Sequence, residues 1–224
     1  MNQILCICGM TLAGKDHLRK ALLGAGMFQD AVSTTTRPPR YGERHGIDYF
    51  FCSREDFAAD MERGQFIEHN VIKGELYGLK YDAFTPAFVA GKTALMVADP
   101  NGMEAIREYS VERGVQFRSV FIDIAQEAQM KRMFERFRDD KNASCSVYAA
   151  RTLHIFESEA AWRSEYSYDH TISHFGPDNQ NEVVRELTEL SAAQTIRSRA
   201  ARLVSTEDLG AGSSRLPSNK VITP

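Results

Sequence analysis

The chain has 224 residues, 43% of them apolar, which suffices to bury one sizeable core and excludes a disordered or fibrous protein. Lys and Arg number 27 against 30 Asp and Glu, so the formal net charge of −3 offers no global basic field for wrapping a nucleic acid. No apolar run approaches the roughly 20 residues of a membrane span, and the opening Met-Asn-Gln-Ile-Leu carries no basic leader, which predicts a cytoplasmic protein without a membrane partner.

Ile4-Leu5-Cys6-Ile7-Cys8 is a continuous apolar run closed by Gly9, as in a central parallel strand buried on both faces. Leu18, Ala21 and Leu22 fall at i, i+3 and i+4 behind a loop ending in Gly14, and Gly24 and Gly26 stop the predicted helix. Residues 31 to 52 read as strand and turn pieces. Ser53 to Arg63 reads as a helix with Ser53 and Asp56 at capping-box spacing and Gly64 as terminator. Thr93–Ala98 and Ser119–Ile124 are two further buried strands, separated by a helix over Gly102–Arg113.

The next helix places Met130, Met133, Phe134 and Phe137 on one face, a stripe expected to pack, with Lys131, Arg132, Arg136 and Arg138 off it. A helix over about Val147–Trp162, a strand near Thr171-Ile172-Ser173 and a last helix with Val183, Val184, Leu187 and Leu190 complete an α/β alternation. From about residue 196 the composition turns to Ser, Gly, Pro and Arg, predicting a flexible basic tail over 196–224. Cys6, Cys8, Cys52 and Cys145 show no metal-ligand spacing with histidine and are expected to be reduced thiols, mostly in the core. The histidines form no evident triad or metal pair; His69, beside Glu68, is the one nearest candidate chemistry.

Gly9-Met10-Thr11-Leu12-Ala13-Gly14-Lys15 is a GxxxxGK pattern set between an apolar strand and a helix. Glycine permits backbone twists that aim several N–H groups into one concavity, the helix N-terminus adds a positive dipole, and the lysine reaches outer phosphates. Gly9, Thr11, Ala13, Gly14, Lys15 and Asp16 are therefore the expected ATP-binding residues. Position 16 normally offers a Ser or Thr hydroxyl to Mg²⁺. Asp16 is also a hard oxygen ligand, but it brings a full negative charge, and it equally suits the first turn of the helix.

Ser33-Thr34-Thr35-Thr36-Arg37-Pro38-Pro39-Arg40-Tyr41-Gly42-Glu43, followed by Gly46-Ile47-Asp48-Tyr49-Phe50-Phe51, resembles the acceptor-binding region of guanylate kinases. Arg63-Gly64-Gln65-Phe66-Ile67-Glu68, Tyr77-Gly78 and Gly91-Lys92-Thr93 resemble the family's next blocks. The likeness runs almost continuously from residue 4 to about 102, is looser beyond, and is absent from the tail. It implies a P-loop-type parallel sheet flanked by helices, with core segments 1–31, 83–125 and 152–195, an α+β acceptor-binding excursion over 32–82 and a helical lid over about 126–151. Two guanidinium forks, Arg37 and Arg40, with the hydroxyls of Ser33, Tyr49 and Tyr77, suit a clamp on one monophosphate. In the resemblance these five positions hold the nucleoside monophosphate, and Glu68 reads the guanine edge.

Two departures stand out. Leu79 follows the Tyr-Gly pair where the family usually carries a Ser or Thr that helps to read the base, and of the family's Asp-x-Asp only Asp99 survives, after Val97-Ala98. Asp16 has a counterpart in some bacteriophage deoxynucleoside monophosphate kinases, so a phage-encoded enzyme in a host cytoplasm, acting on a deoxynucleotide or a modified base, is one expectation. Phosphoryl transfer needs positioning and charge neutralisation more than a general base. Lys15, Arg40, Arg136 and Arg151 are the expected catalytic cations, the last two delivered by the lid. Asp16 and Asp99 are the expected Mg²⁺ ligands, with ATP as donor and Asp99 also on the acceptor side. The rival expectation is a guanylate-kinase-like binding module without catalysis, although Gly9, Gly14 and Lys15 are intact. A nucleic-acid kinase would need a basic track that the acidic body lacks. A monomer or homodimer is expected.

Overall fold

A computed structural model describes residues 2–72, 74–139, 144–159 and 161–193. Strand β1 (Gln3–Gly9) leads through the glycine loop into helix α1 (Lys15–Gly24) and strand β2 (Phe28–Asp30). Strands β3 (Thr34–Thr35) and β4 (Phe50–Phe51), helix α2 (Arg54–Glu62) and the hairpin β5 (Phe66–Ile72) with β6 (Glu75–Lys80) form the excursion. A 3₁₀ turn (Tyr81–Phe84) and helix α3 (Thr85–Val89) return the chain to β7 (Thr93–Val97), α4 (Pro100–Arg113) and β8 (Gln116–Ile122). Then come α5 (Gln126–Asp139), α6 (Cys145–His154), a π-helical turn (Ile155–Glu159), α7 (Trp162–Glu165), β9 (His170–Ile172) and a closing helix α8 over 180–193.

The main sheet has the order β2-β7-β1-β8-β9, with every pairing parallel. All of β1 is buried, and its register sets Ile4 to Ile7 against Ala94 to Val97 on one side while Gln3 to Gly9 face Gln116 to Ile122 on the other. A central strand covered on both faces has no polar side to show, which is why it reads as unbroken apolar sequence. Because β1 lies between β7 and β8, the cleft opens at the carboxyl ends of these three strands, the usual ligand side of an open parallel sheet. The second sheet, β4-β3-β6-β5, is mixed, and the β5–β6 hairpin is its long arm.

Local chemistry sets the ends of the helices. Ser53 caps α2 by accepting from the Asp56 amide at 3.0 Å, and Gly64 terminates it at φ +63°. Helix α4 starts two residues earlier than the apolar pattern predicts, because Asp99 accepts from the Gly102 amide at 2.8 Å and Pro100 fits the first helical turn.

The described residues pack as a main core around the parallel sheet and a small separate cluster of Met133, Tyr148 and Ile155, bordered by Leu12, Met130 and Phe137. Two expectations need correcting. Phe134 is not part of the lid stripe; it is 70% exposed. One helix, α6, covers a face narrower than the sequence stripe, and residue 134 sits about 100° around from 133. The thiols are also less uniformly buried than expected: Cys6 and Cys8 lie in the core, whereas Cys52 is half-buried and Cys145 exposed. The predicted tail at 196–224 lies outside the described residues.

Candidate active site

At the end of β1 the chain turns sharply. Gly9 has φ +151°, and a Cβ there would stand 2.8 Å from the Ile122 carbonyl oxygen, so strand β8 leaves room for glycine alone. Leu12 adopts φ 65°, a left-handed conformation that costs a branched side chain about 1–2 kcal/mol. Its neighbours hold it there: the Leu12 carbonyl accepts from Arg132 Nη1 at 2.8 Å, while its side chain borders the lid cluster.

Of the expected loop donors, two are used internally. The Ala13 amide donates to Met10 O at 3.1 Å, and the Thr11 amide donates to Glu159 Oε2 at 2.7 Å. The first bond of the α1 ladder is Leu18 N to Gly14 O, so the amides of Lys15, Asp16 and His17 precede it, as the orphan donors of a helix start that suit an anion. Lys15 Nζ folds back to Gly9 O at 2.6 Å and Met10 O at 2.9 Å. Burial lowers its ammonium pKa, opposed by the charges of Glu159 and Asp16.

A cavity of about 290 Å³ has Ser33, Arg37, Arg40, Tyr49, Glu68, Tyr77 and Asp99 in its lining. Arg37 is fixed from several directions: Nε donates to the Tyr77 hydroxyl at 3.1 Å, Nη2 to Glu43 Oε1 at 3.0 Å, and Nη1 to Pro38 O at 2.7 Å. Its guanidinium carbon lies 5.5 Å from the Tyr49 ring centre. Glu43 also accepts from the Arg40 amide at 2.7 Å and so ties the Pro38–Pro39 turn together, and its carboxyl is held below the usual range chiefly by Arg37. Burial raises the Tyr49 phenol, which keeps it a hydrogen donor. Arg40 is exposed at the cavity rim.

Glu68 projects from β5 toward Gly102 and Asp99. Burial, and secondarily the Asp99 charge, push its carboxyl up to about 7. Asp99 has both carboxylate oxygens engaged, Oδ1 by the Gly102 amide and Oδ2 by Asn70 Nδ2 at 3.5 Å. Leu79 is fully buried in the main core and does not line the cavity, whereas Val97 does. His69 is likewise absent from the lining and stands edge-on to Phe66, with centroids 6.3 Å apart.

A second cavity of about 410 Å³ adjoins the first. It reaches Asp16, Arg19, Lys20 and Asp48, and shares Ser33, Arg40, Tyr49 and Val97 with its neighbour. The two cavities together run from Asp16, at the start of α1, to Glu68, with Arg40 on both sections.

Around helices α5 and α7 the structure singles out residues that no motif marks. Arg132 joins Leu12 O to Phe175 O, the latter at 3.3 Å. Arg163 donates to Ile124 O at 2.7 Å and approaches Met10 Sδ at 3.5 Å. The Glu159 carboxylate, almost completely buried, accepts from the amide and hydroxyl of Thr11 and from Gln129 Nε2 at 3.0 Å, while Gln129 Nε2 also donates to Thr11 O at 2.9 Å. Arg136 is exposed on α5, and its carbonyl accepts from the Tyr148 hydroxyl at 3.2 Å. Arg151 lies on α6, and its side chain is outside the described residues.

The guanylate kinase family model matches residues 1–191. The guanylate kinase of Coxiella burnetii is 30% identical over 187 residues, covering 83% of this chain and 84% of that one. That of Hahella chejuensis is 31% identical over 169 residues, with coverage of 75% and 77%. The crystal structure of guanylate kinase from Anaplasma phagocytophilum shares the fold, with a TM-score of 0.58 at 24% identity over 86% of each chain. With a matched family model spanning the parallel sheet, the small mixed sheet and helices α5 to α7, the chain belongs to the guanylate kinase family and is a phosphotransferase of the nucleoside monophosphate kinase kind.

Proposed function

We propose that the chain transfers the γ-phosphoryl group of ATP to GMP or dGMP, or to a related, modified nucleoside monophosphate, and releases the diphosphate. One observation supports this reading: the cavity lined by Arg37, Arg40, Ser33, Tyr49 and Tyr77 adjoins, at Ser33, Arg40 and Tyr49, a second cavity that reaches Asp16 at the start of α1, the helix that follows the glycine loop. Two phosphate-holding sites that face one space are what an in-line transfer between two nucleotides requires.

The acceptor monophosphate enters the clamp as an anion, so no side chain has to deprotonate it. Arg37, already anchored by Glu43 and Tyr77, meets it without a large ordering cost, while exposed Arg40 has the freedom to follow the migrating group. Lys15 exchanges its two loop carbonyls for donor phosphate oxygens; its lowered pKa reflects an ammonium that its present partners solvate poorly, so an incoming phosphate is a better counter-charge. The amides at the start of α1 take the remaining donor charge. Arg136 and Arg151 belong to the helices that close over the donor and exclude water in this reading.

For Mg²⁺, the donor set fits in part. Asp16 is exposed, lines the cleft at the start of α1 and offers a hard carboxylate, enough for an ion held largely by water and substrate phosphates. Asp99, with both oxygens engaged, reads better as the cap of α4 and a support for the acceptor wall. When bound, the ion would neutralise charge on the donor phosphates.

The test follows GMP and ADP by ³¹P NMR after addition of Mg·ATP. GDP and ADP should rise together in the parent, Lys15→Ala should lower turnover by at least about a thousandfold, and Arg37→Ala should raise the KM for GMP far more than that for ATP. ADP release with no GDP formed, or an Arg37→Ala variant that kept the parent KM for GMP, would contradict the reading.

A further inference from the structure

Leu79, the residue after Tyr77-Gly78, is sealed in the core and presents nothing to the cavity. The cavity wall supplies its polar groups elsewhere. Alternation along β5 puts Glu68, Asn70 and Ile72 on the face that lines the acceptor cavity. Glu68 and Asn70 are thus neighbours on one face, about 6.6 Å apart along the strand.

An asparagine side chain can present either its carbonyl or its amide to a ligand, and the local backbone decides which. Asn70 Oδ1 accepts from the Val71 amide at 2.7 Å, so the carbonyl end is committed. The Nδ2 end points the other way and lies 3.5 Å from Asp99 Oδ2, a long contact that uses at most one of its two hydrogens. Asp99 cannot turn toward a ligand without leaving Gly102, because its other oxygen caps α4 at 2.8 Å. What faces the cavity is a carboxylate acceptor from Glu68 beside an N–H donor from Asn70.

We propose that Asn70 is a specificity-determining residue that donates to the carbonyl oxygen of the acceptor base while Glu68 accepts from the adjacent ring N–H. The site then takes bases with a lactam edge, N–H next to C=O. Among purines that means 6-oxopurines. Adenine offers the reverse, an amino donor beside a bare ring nitrogen, and would set N–H against N–H at Asn70 and a lone pair against Glu68. Leaving both polar groups unpaired is the strong form of discrimination. The inference rests on the acceptor cavity proposed above and assigns the residue that reads one atom of the base.

The experiment measures kcat and KM for GMP, IMP, 6-thio-GMP and AMP with the parent, Asn70→Ala and the isosteric Asn70→Asp. Sulfur at position 6 is a poor acceptor, so the parent should favour GMP over 6-thio-GMP. Asn70→Ala should lose about tenfold in kcat/KM for GMP, mainly through KM, lose little for 6-thio-GMP, and leave the GMP to IMP ratio unchanged because both keep O6. Asn70→Asp, which puts an acceptor in the same place, should lose more on GMP than Ala does and narrow the gap to AMP. A GMP to 6-thio-GMP ratio that stays at the parent value in Asn70→Ala overturns the inference, as does a GMP to IMP ratio that moves as far. A parent that turns over no GMP overturns the acceptor reading itself, which separates the two failures.

Discussion

Glu68 is a carboxyl that the fold would sooner keep protonated. Burial and the neighbouring Asp99 raise it from an ordinary value of 4.5 to about 7. Since the folded state holds this proton more tightly than the unfolded chain, stability is lost as pH rises from about 4.5 to about 7 and stays lost above that. The cost at alkaline pH is on the order of 3 kcal/mol. Glu68→Gln should therefore gain roughly that much over the parent at pH 8 and little at pH 4 when urea unfolding is followed across the range. Parallel pH curves for the two proteins would contradict the assignment. Under the proposed function activity runs the other way: an ionised carboxylate would accept from the base, so the parent's KM for GMP should fall as pH rises through about 7, and the variant should lose that dependence. At this scale the motifs pick out Arg37 and Glu68, which the fold brings to one cavity, and Lys15, which it sets against the loop carbonyls of Gly9 and Met10. Asn70 stands two residues after Glu68, the strand spacing that puts both on one face, but no motif marks it. Glu159 carries no signal, since it meets Thr11 across 148 positions of chain.

Among the elements, the contact that matters most is between the glycine loop and the helices that follow β8. Gln129 on α5 and Glu159 in the π-helical turn grip Thr11 together, and Arg132 holds the next carbonyl, so the loop is tied to the helices after β8 by partly buried hydrogen bonds. Glu159→Ala would leave the Thr11 amide and the Gln129 side chain without this acceptor, a loss of about 2 kcal/mol in stability. It should also raise the KM for ATP several-fold while leaving the KM for GMP near the parent value. Equal changes in both constants would mean that the grip supports the fold in general and not the donor loop. The elements with a clear period or cap, β1, α1, α2 and β7, are where the sequence places them. The β5–β6 hairpin was harder to see, because His69, Asn70 and Lys80 interrupt its apolar alternation, and α4 begins early because Pro100 and the Asp99 cap outweigh the apolar pattern. Phe134 shows the limit of helical periodicity: a stripe tells which residues share a face, but not how much of that face a neighbour covers.

For the whole molecule, the architecture amounts to one parallel sheet whose carboxyl end carries the glycine loop, and one small mixed sheet beside which Arg37, Arg40 and Tyr77 line a cavity. The GxxxxGK pattern and the family blocks mark the fold class; the continuity of the two cavities has no sequence mark, because it depends on how Ser33, Arg40 and Tyr49 line both at once. That continuity is tested most directly by calorimetric titration with a single molecule that joins adenosine and guanosine through five phosphates. It should bind one to one, more tightly than ATP or GMP alone, and Lys15→Ala and Arg37→Ala should each weaken it by about tenfold or more. Affinity no better than that of ATP, or a response to only one of the two substitutions, would mean that the two phosphate sites do not share one cleft.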